Sequence, residues 1–227
     1  MSKISEDYEY YVEKSHPVVF PGDLVDWEKY GKEYLIPPDA VSFLMQYQCF
    51  SAYDGRLLVG DPGVFSGILP LIFQGDPDFH HRDTIVVGHS AFGRLYCWSS
   101  RYGGIDINLI NATMACNGFI RPESFMKRPE INFSSLIDSM DPDVFDEEDE
   151  YGVLLFKRAK RKLGPLGYRE CYGFRLALPM GGYRTLDKLE KLPAPEHYSF
   201  LAQLQPFTLI DWGTTSNFGL REIRQVG

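Results

Sequence analysis

The first places to look for chemistry are five histidines and one short charged run. His80-His81-Arg82-Asp83 is the cluster whose side chains suit metal ligation or acid–base work, because imidazoles and carboxylates both ligate metals and carry protons. It stands directly before a β-rich run and has no further ligand at helical spacing, so it reads as a polar loop. An enzyme centred on His80, His81 and Asp83 remains an alternative. The sequence contains no Gly-x-Ser-x-Gly elbow, phosphate loop or dinucleotide fingerprint. Gly181-Gly182 follows a strand, but it lacks the third glycine, the Lys-Ser/Thr pair and the helix onset such loops require. The sequence therefore assigns no catalytic residue, no cofactor and no metal.

The densest charge lies in Asp138, Asp141, Asp143, Asp146, Glu147, Glu148, Asp149 and Glu150, followed by Lys157, Arg158, Lys160, Arg161 and Lys162. Acid at the start of a helix and base at its end each gain about 0.3–1 kcal/mol from the helix dipole. Capping of this kind is one reading, and a partner-facing acidic patch is the other; the two are compatible. For the second, Asp146, Glu147, Glu148 and Asp149 are the candidate partner-binding residues, acting by electrostatic steering. The basic run is interleaved with an apolar stripe and reads as a solvated helix end, not as a nucleic-acid or membrane patch. Interface anchors are more often aromatic than charged, which makes Tyr8, Tyr10, Tyr11, Tyr53 and Tyr168 the candidates.

Bulk properties narrow the function classes. A formal charge of −8 repels phosphate backbones and favours a basic partner, so direct nucleic-acid binding is not expected. Cys49, Cys97, Cys116 and Cys171 lie far apart with no Cys-x-x-Cys pair, which fits a reducing compartment. The start, MSKISEDYEYYVEK, is polar and acidic, unlike a signal peptide, and no apolar run approaches the roughly 20 residues of a membrane span. A cytoplasmic protein with no membrane contact is expected.

These residues must be held by an α+β fold, with antiparallel sheets and flanking helices in two subdomains. Short helices are expected within 23–34 and after Pro37-Pro38. Strands are expected at Arg56–Val59, Thr84–Val87, Arg94–Trp98 and Ile105–Ile110. Two prolines and mixed charge mark a linker over 123–132, separating a domain at 1–122 from one at 133–227. Beyond it, Tyr151, Leu154, Leu155, Ala159 and Leu163 form one stripe, predicting a long helix from Asp143 to the Gly164-Pro165 stop. A strand at Glu170–Leu178, a brief strand or turn at Asp187–Leu192, a helix at Glu196–Leu204 and an apolar segment at Phe207–Trp212 complete the chain.

Two stretches resemble known families. Leu155-Phe156, Leu163-Gly164-Pro165-Leu166, Tyr172-Gly173-Phe174, Gly181-Gly182, and His197, Leu201 and Leu204 resemble the C-terminal domain of immunity proteins paired with DNase effectors of bacterial type VI secretion. Leu35-Ile36-Pro37, Tyr53-Asp54-Gly55, Asp61-Pro62 and Ser90 to Trp98 resemble the GAD-like domain that commonly precedes it. Together the resemblance spans roughly 16–205. It implies an immunity protein that binds and neutralises a cognate DNase toxin in the cytosol of the producing cell. A small-ligand or peptide-binding regulatory module is the non-enzymatic alternative.

Overall fold

Alternation of side chains along four central strands separates two cores. The computed structural model describes residues 5–22, 24–123, 129–213 and 220–227, with backbone alone for 129–132. Strand β4 is Thr84–Ser90, β5 is Arg94–Ser99, β6 is Gly103–Asn108 and β7 is Thr113–Ala115; each pairs antiparallel with the next. Residues two apart share a face. Leu95, Cys97, Ile105, Ile107 and Met114 therefore enter one core, while Ile85, Val87, Tyr96 and Trp98 enter the other. A bulge between Val86 and Gly88 shifts the β4–β5 register.

On the N-terminal side the sheet continues through β3 (Leu57–Val59), β2 (Phe50–Ala52) and the edge strand β1 (Val18–Val19). The four strands expected up to residue 110 are present as β3 to β6, whereas the sequence reading did not foresee β1 and β2. On the other side, β7 pairs in parallel with β10 (Phe207–Asp211), and β11 (Arg221–Val226) closes the sheet antiparallel to β10. The order is β1-β2-β3-β4-β5-β6-β7-β10-β11, so the end of the chain completes a sheet begun near its start. A separate antiparallel pair joins β8 (Glu170–Phe174) to β9 (Leu189–Pro193).

Helices cover both faces. Helix α1 (Glu6–Ser15) carries Glu6, Asp7 and Glu9 in its first turn and Lys14 in its last, the polarity the helix dipole favours. The sequence reading did not foresee this helix. Helix α2 (Trp27–Tyr34) is capped by the Asp26 carboxylate, which accepts a hydrogen bond from the Lys29 amide at 3.0 Å. Helix α3 (Pro38–Tyr47) starts on proline, whose missing N–H would have had no partner in the first turn anyway. The short α4 (Leu69–Ile72) and α5 (Asn117–Ile120) pack on the opposite face and near β6.

Helix α6 (Pro129–Ile137) begins inside the expected 123–132 linker, of which 124–128 lie outside the described residues. Its Phe133 packs on Trp98 with ring centroids 5.2 Å apart. Helix α7 (Phe156–Leu163) and the β8–β9 pair bury Phe156, Ala159, Tyr172, Phe174 and Leu189 against Phe92 and Ile110, making a third core between the two halves of the chain. Gly164, at φ +83, stops α7 where the sequence places the stop. Helix α8 (Ala194–Leu201) lays Tyr198 and Leu201 against the sheet. The architecture is α+β with a large, mostly antiparallel sheet, as expected.

Candidate functional site

The acidic stretch is a loop, which corrects the expected helix from Asp143 to Leu163. A 3-10 turn at Pro142–Phe145 leads into irregular chain closed by one bridge between Glu148 and Leu154, and α7 starts only at Phe156. Short carboxylate side chains are the cause, because they offer backbone amides a partner other than the helix ladder. Asp146 Oδ1 accepts from its neighbour Glu147 N at 2.7 Å and from Phe156 N at 2.8 Å, fastening the first amide of α7 from ten residues upstream. Asp149 Oδ1 accepts from Tyr151 N at 2.9 Å and Val153 N at 3.0 Å, with Gly152 in the left-handed region at φ +73. Tyr151, expected on the buried stripe, is instead 84% exposed.

Three of the four expected partner-binding acids face inward. The Asp146 side chain is fully buried and lies 3.6 Å from Arg56 Nε. Arg56 also reaches Asp143 at 3.5 Å and stacks 4.7 Å over the Phe156 ring. Burial raises the Asp146 carboxyl, against the amides of Glu147 and Phe156 and the nearby guanidinium, which lower it. Glu147 pairs with Arg184 and is likewise raised by burial. Asp149 Oδ2 accepts from both terminal nitrogens of Arg158, at 2.6 and 2.7 Å. Burial pushes its carboxyl up, but the Val153 and Tyr151 amides and Arg158 outweigh this and hold it below the ordinary value.

Of the four, Glu148 is the one on the outer surface. Asp141 and Glu150 stand exposed with it, and none of these three makes an ion pair among the described residues. Between them the loop exposes Met140 (81%), Val144, Tyr151 and Val153. The inner acids thus fix a loop whose outer side alternates apolar and acidic groups.

Beside this loop the sheet face opens into a pocket of about 320 Å³. Its floor is the β5–β6–β7 surface where the register pairs Tyr96 with Asp106 and Asp106 with Ala115; Gly104 and Ala115 are small enough to leave the space. Its walls include Ser135 and Leu136 of α6, Ser139, Val144, Phe145 and the half-exposed Trp212 that follows β10. Arg94 Nη1 donates to Asp106 Oδ2 at 3.4 Å. Burial raises the Asp106 carboxyl even so. The buried Tyr96 hydroxyl lies beside Arg94 without a well-formed hydrogen bond.

Other candidates fall elsewhere. His80, His81 and Arg82 lie exposed in a turn before β4, with Asp83 accepting from the Thr84 hydroxyl at 3.0 Å. Among the described residues no group of three or more His, Cys, Asp or Glu is placed to hold a metal. The basic run of α7 is engaged within the chain: Lys160 meets Asp54 at 2.6 Å and Lys162 donates to the Leu186 carbonyl at 3.0 Å. Tyr8, Tyr11 and Tyr53 are buried and Tyr168 is half-buried, whereas Tyr10 is exposed and leans on Met140 at the loop. The four cysteines are buried and not joined in disulfides. The sequence reading missed Arg94, Tyr96, Asp106 and Trp212; the signal was the polar and aromatic pair two apart on β5, which puts both on one face.

No described helix is long and apolar enough to cross a membrane. No curated protein matches the sequence. The crystal structure of Atu4351 from Agrobacterium tumefaciens has a TM-score of 0.87 to this structure, covering 97% of this chain and 98% of that one at 26% identity. The GAD-like domain profile matches residues 14–111, which form the first six strands, β1 to β6, and their helices. The profile of the T6SS immunity protein Tdi1, C-terminal, matches residues 131–205, which hold the acidic loop, α7, the β8–β9 pair and α8. With both domains present in this order, the chain belongs to the type VI secretion immunity proteins.

Proposed function

We propose that this immunity protein binds and neutralises a DNase effector, keeping DNA from the toxin's active site in the cytoplasm of the producing cell. The observation that carries this reading is the outer side of the 138–153 loop. Asp141, Glu148 and Glu150 stand there without ion-pair partners among the described residues, beside Met140 and Tyr151, each of these two more than four-fifths exposed. A DNase must gather phosphates on a positive surface, and a chain of charge −8 is complementary to it. Outer charges hasten encounter, and large apolar side chains supply the anchors that slow dissociation.

Within this reading the four expected acids divide. Glu148 faces the toxin, while Asp146, Glu147 and Asp149 hold the loop in its docking shape, so less order is lost on binding. The same negative field leaves DNA itself no reason to bind.

Co-expression with the effector encoded beside the gene tests the proposal. The chain should restore growth and co-purify with the toxin. The absence of both rescue and co-purification would refute it.

A further inference from the structure

We infer that the pocket on the β5–β6–β7 face receives an arginine side chain presented by the effector; this rests on the toxin-binding reading above. The pocket adjoins the acidic loop, since Ser139 and Val144 belong to both. A partner lying on the loop therefore covers the pocket mouth.

The lining chooses the occupant. Asp106 and the Tyr96 oxygen offer hydrogen-bond acceptors in this lining, and the half-exposed Trp212 ring stands at the wall. A guanidinium brings several donors in one plane and stacks on aromatic rings. An apolar plug would leave the Tyr96 hydroxyl without a partner, and a carboxylate would meet the carboxylates of Asp106 and Asp138. Arg94 does not forbid a second cation, because Asp106 and Glu147 both act on it. One carboxylate shared by two guanidinium groups then completes the set. The half-buried carboxyl of Asp106, raised by desolvation despite its arginine, gains from such an arrival.

Tyr96→Phe isolates the idea, because it removes a hydroxyl that makes no well-formed hydrogen bond in the free protein. The test measures binding of the full chain to its neighbouring effector, inactivated at its active site. Tyr96→Phe should melt no lower than the wild type yet dissociate on the order of 10-fold faster, the worth of one hydrogen bond to a charged group. Trp212→Ala, at an exposed site, should also speed dissociation on the order of 10-fold, and it decides the matter alone if Tyr96→Phe does not fold. One effector arginine, replaced by alanine, should reproduce the loss and be non-additive with Tyr96→Phe.

If the wild type binds, but both variants dissociate at its rate or no effector arginine couples to Tyr96, the pocket assignment is overturned and the immunity reading stands. If the wild type does not bind the effector, both fall.

Discussion

Arg56 Nε and Asp146 Oδ2 face each other at 3.6 Å, the Asp146 side chain wholly buried and that of Arg56 nearly so. The two residues come from the two matched domains, so this ion pair joins the GAD-like sheet to the acidic loop. Removing one partner strands the other charge away from water. Asp146→Ala should therefore destabilise the protein by about 3–5 kcal/mol. It also frees the Phe156 amide at the start of α7. Arg56→Met should cost a similar amount, and the double variant less than the sum of the two. Urea unfolding of the three variants reads this directly.

The outer acids behave differently. Glu148→Gln touches no internal partner and should change stability by no more than about 0.5 kcal/mol. Together with Asp141→Asn and Glu150→Gln it should slow association with the toxin at low salt, and the difference should fade as salt screens the charges. Stopped-flow association rates across a salt series are the measurement. Equal rates for the triple variant and the wild type at low salt would remove the steering role.

His89 gives the protein an acid-sensitive joint. It sits buried on β4, its Nδ1 2.9 Å from the Ser90 carbonyl and 3.1 Å from the Tyr198 hydroxyl. Burial lowers its pKa to about 4, against the hydrogen bond to Ser90. The unfolded chain takes up the proton near 6.5 and the folded chain does not. Stability from this group is thus complete above about pH 6.5 and falls away as pH drops toward 4, by about 3 kcal/mol in all. Denaturation midpoints at pH 7.5 and pH 4.5 should show the loss, and His89→Phe should flatten that slope.

Gly60 makes a second contact between the domains. The Tyr168 hydroxyl hydrogen-bonds with the backbone amide of Asp61, and a Cβ on Gly60 would overlap the Tyr168 ring. Gly60→Ala should cost about 1–3 kcal/mol by overpacking. Adding Tyr168→Ala removes the overlap, so Gly60→Ala should cost much less in that background. Thermal melts of the four proteins complete the cycle.

Much of the sheet was legible because its signals are local. Thr84–Ser90 and Arg94–Ser99 alternate faces around a glycine turn, and that pattern needs no distant partner. The acidic loop was not legible, because the stripe from Tyr151 to Leu163 has helical spacing. What overrides it is Asp146 and Asp149 binding backbone amides, and Arg56 and Arg158 fixing those carboxylates. Arg56 is 90 residues away in sequence, so no local window contains it. Helix α1 escaped for another reason: Tyr8 and Tyr11 are the residues it buries, and an acidic terminus hides that face. The pocket arises where β6, β7, α6 and the residue after β10 meet, a juxtaposition that only tertiary structure supplies.

The parallel seam between Thr113–Ala115 and Thr208–Ile210 has a bearing on biosynthesis. Until the segment from Phe207 onward has been made and docked, β7 carries a raw hydrogen-bonding rim that invites self-sticking. The protective molecule therefore closes its sheet only when β10 zips home.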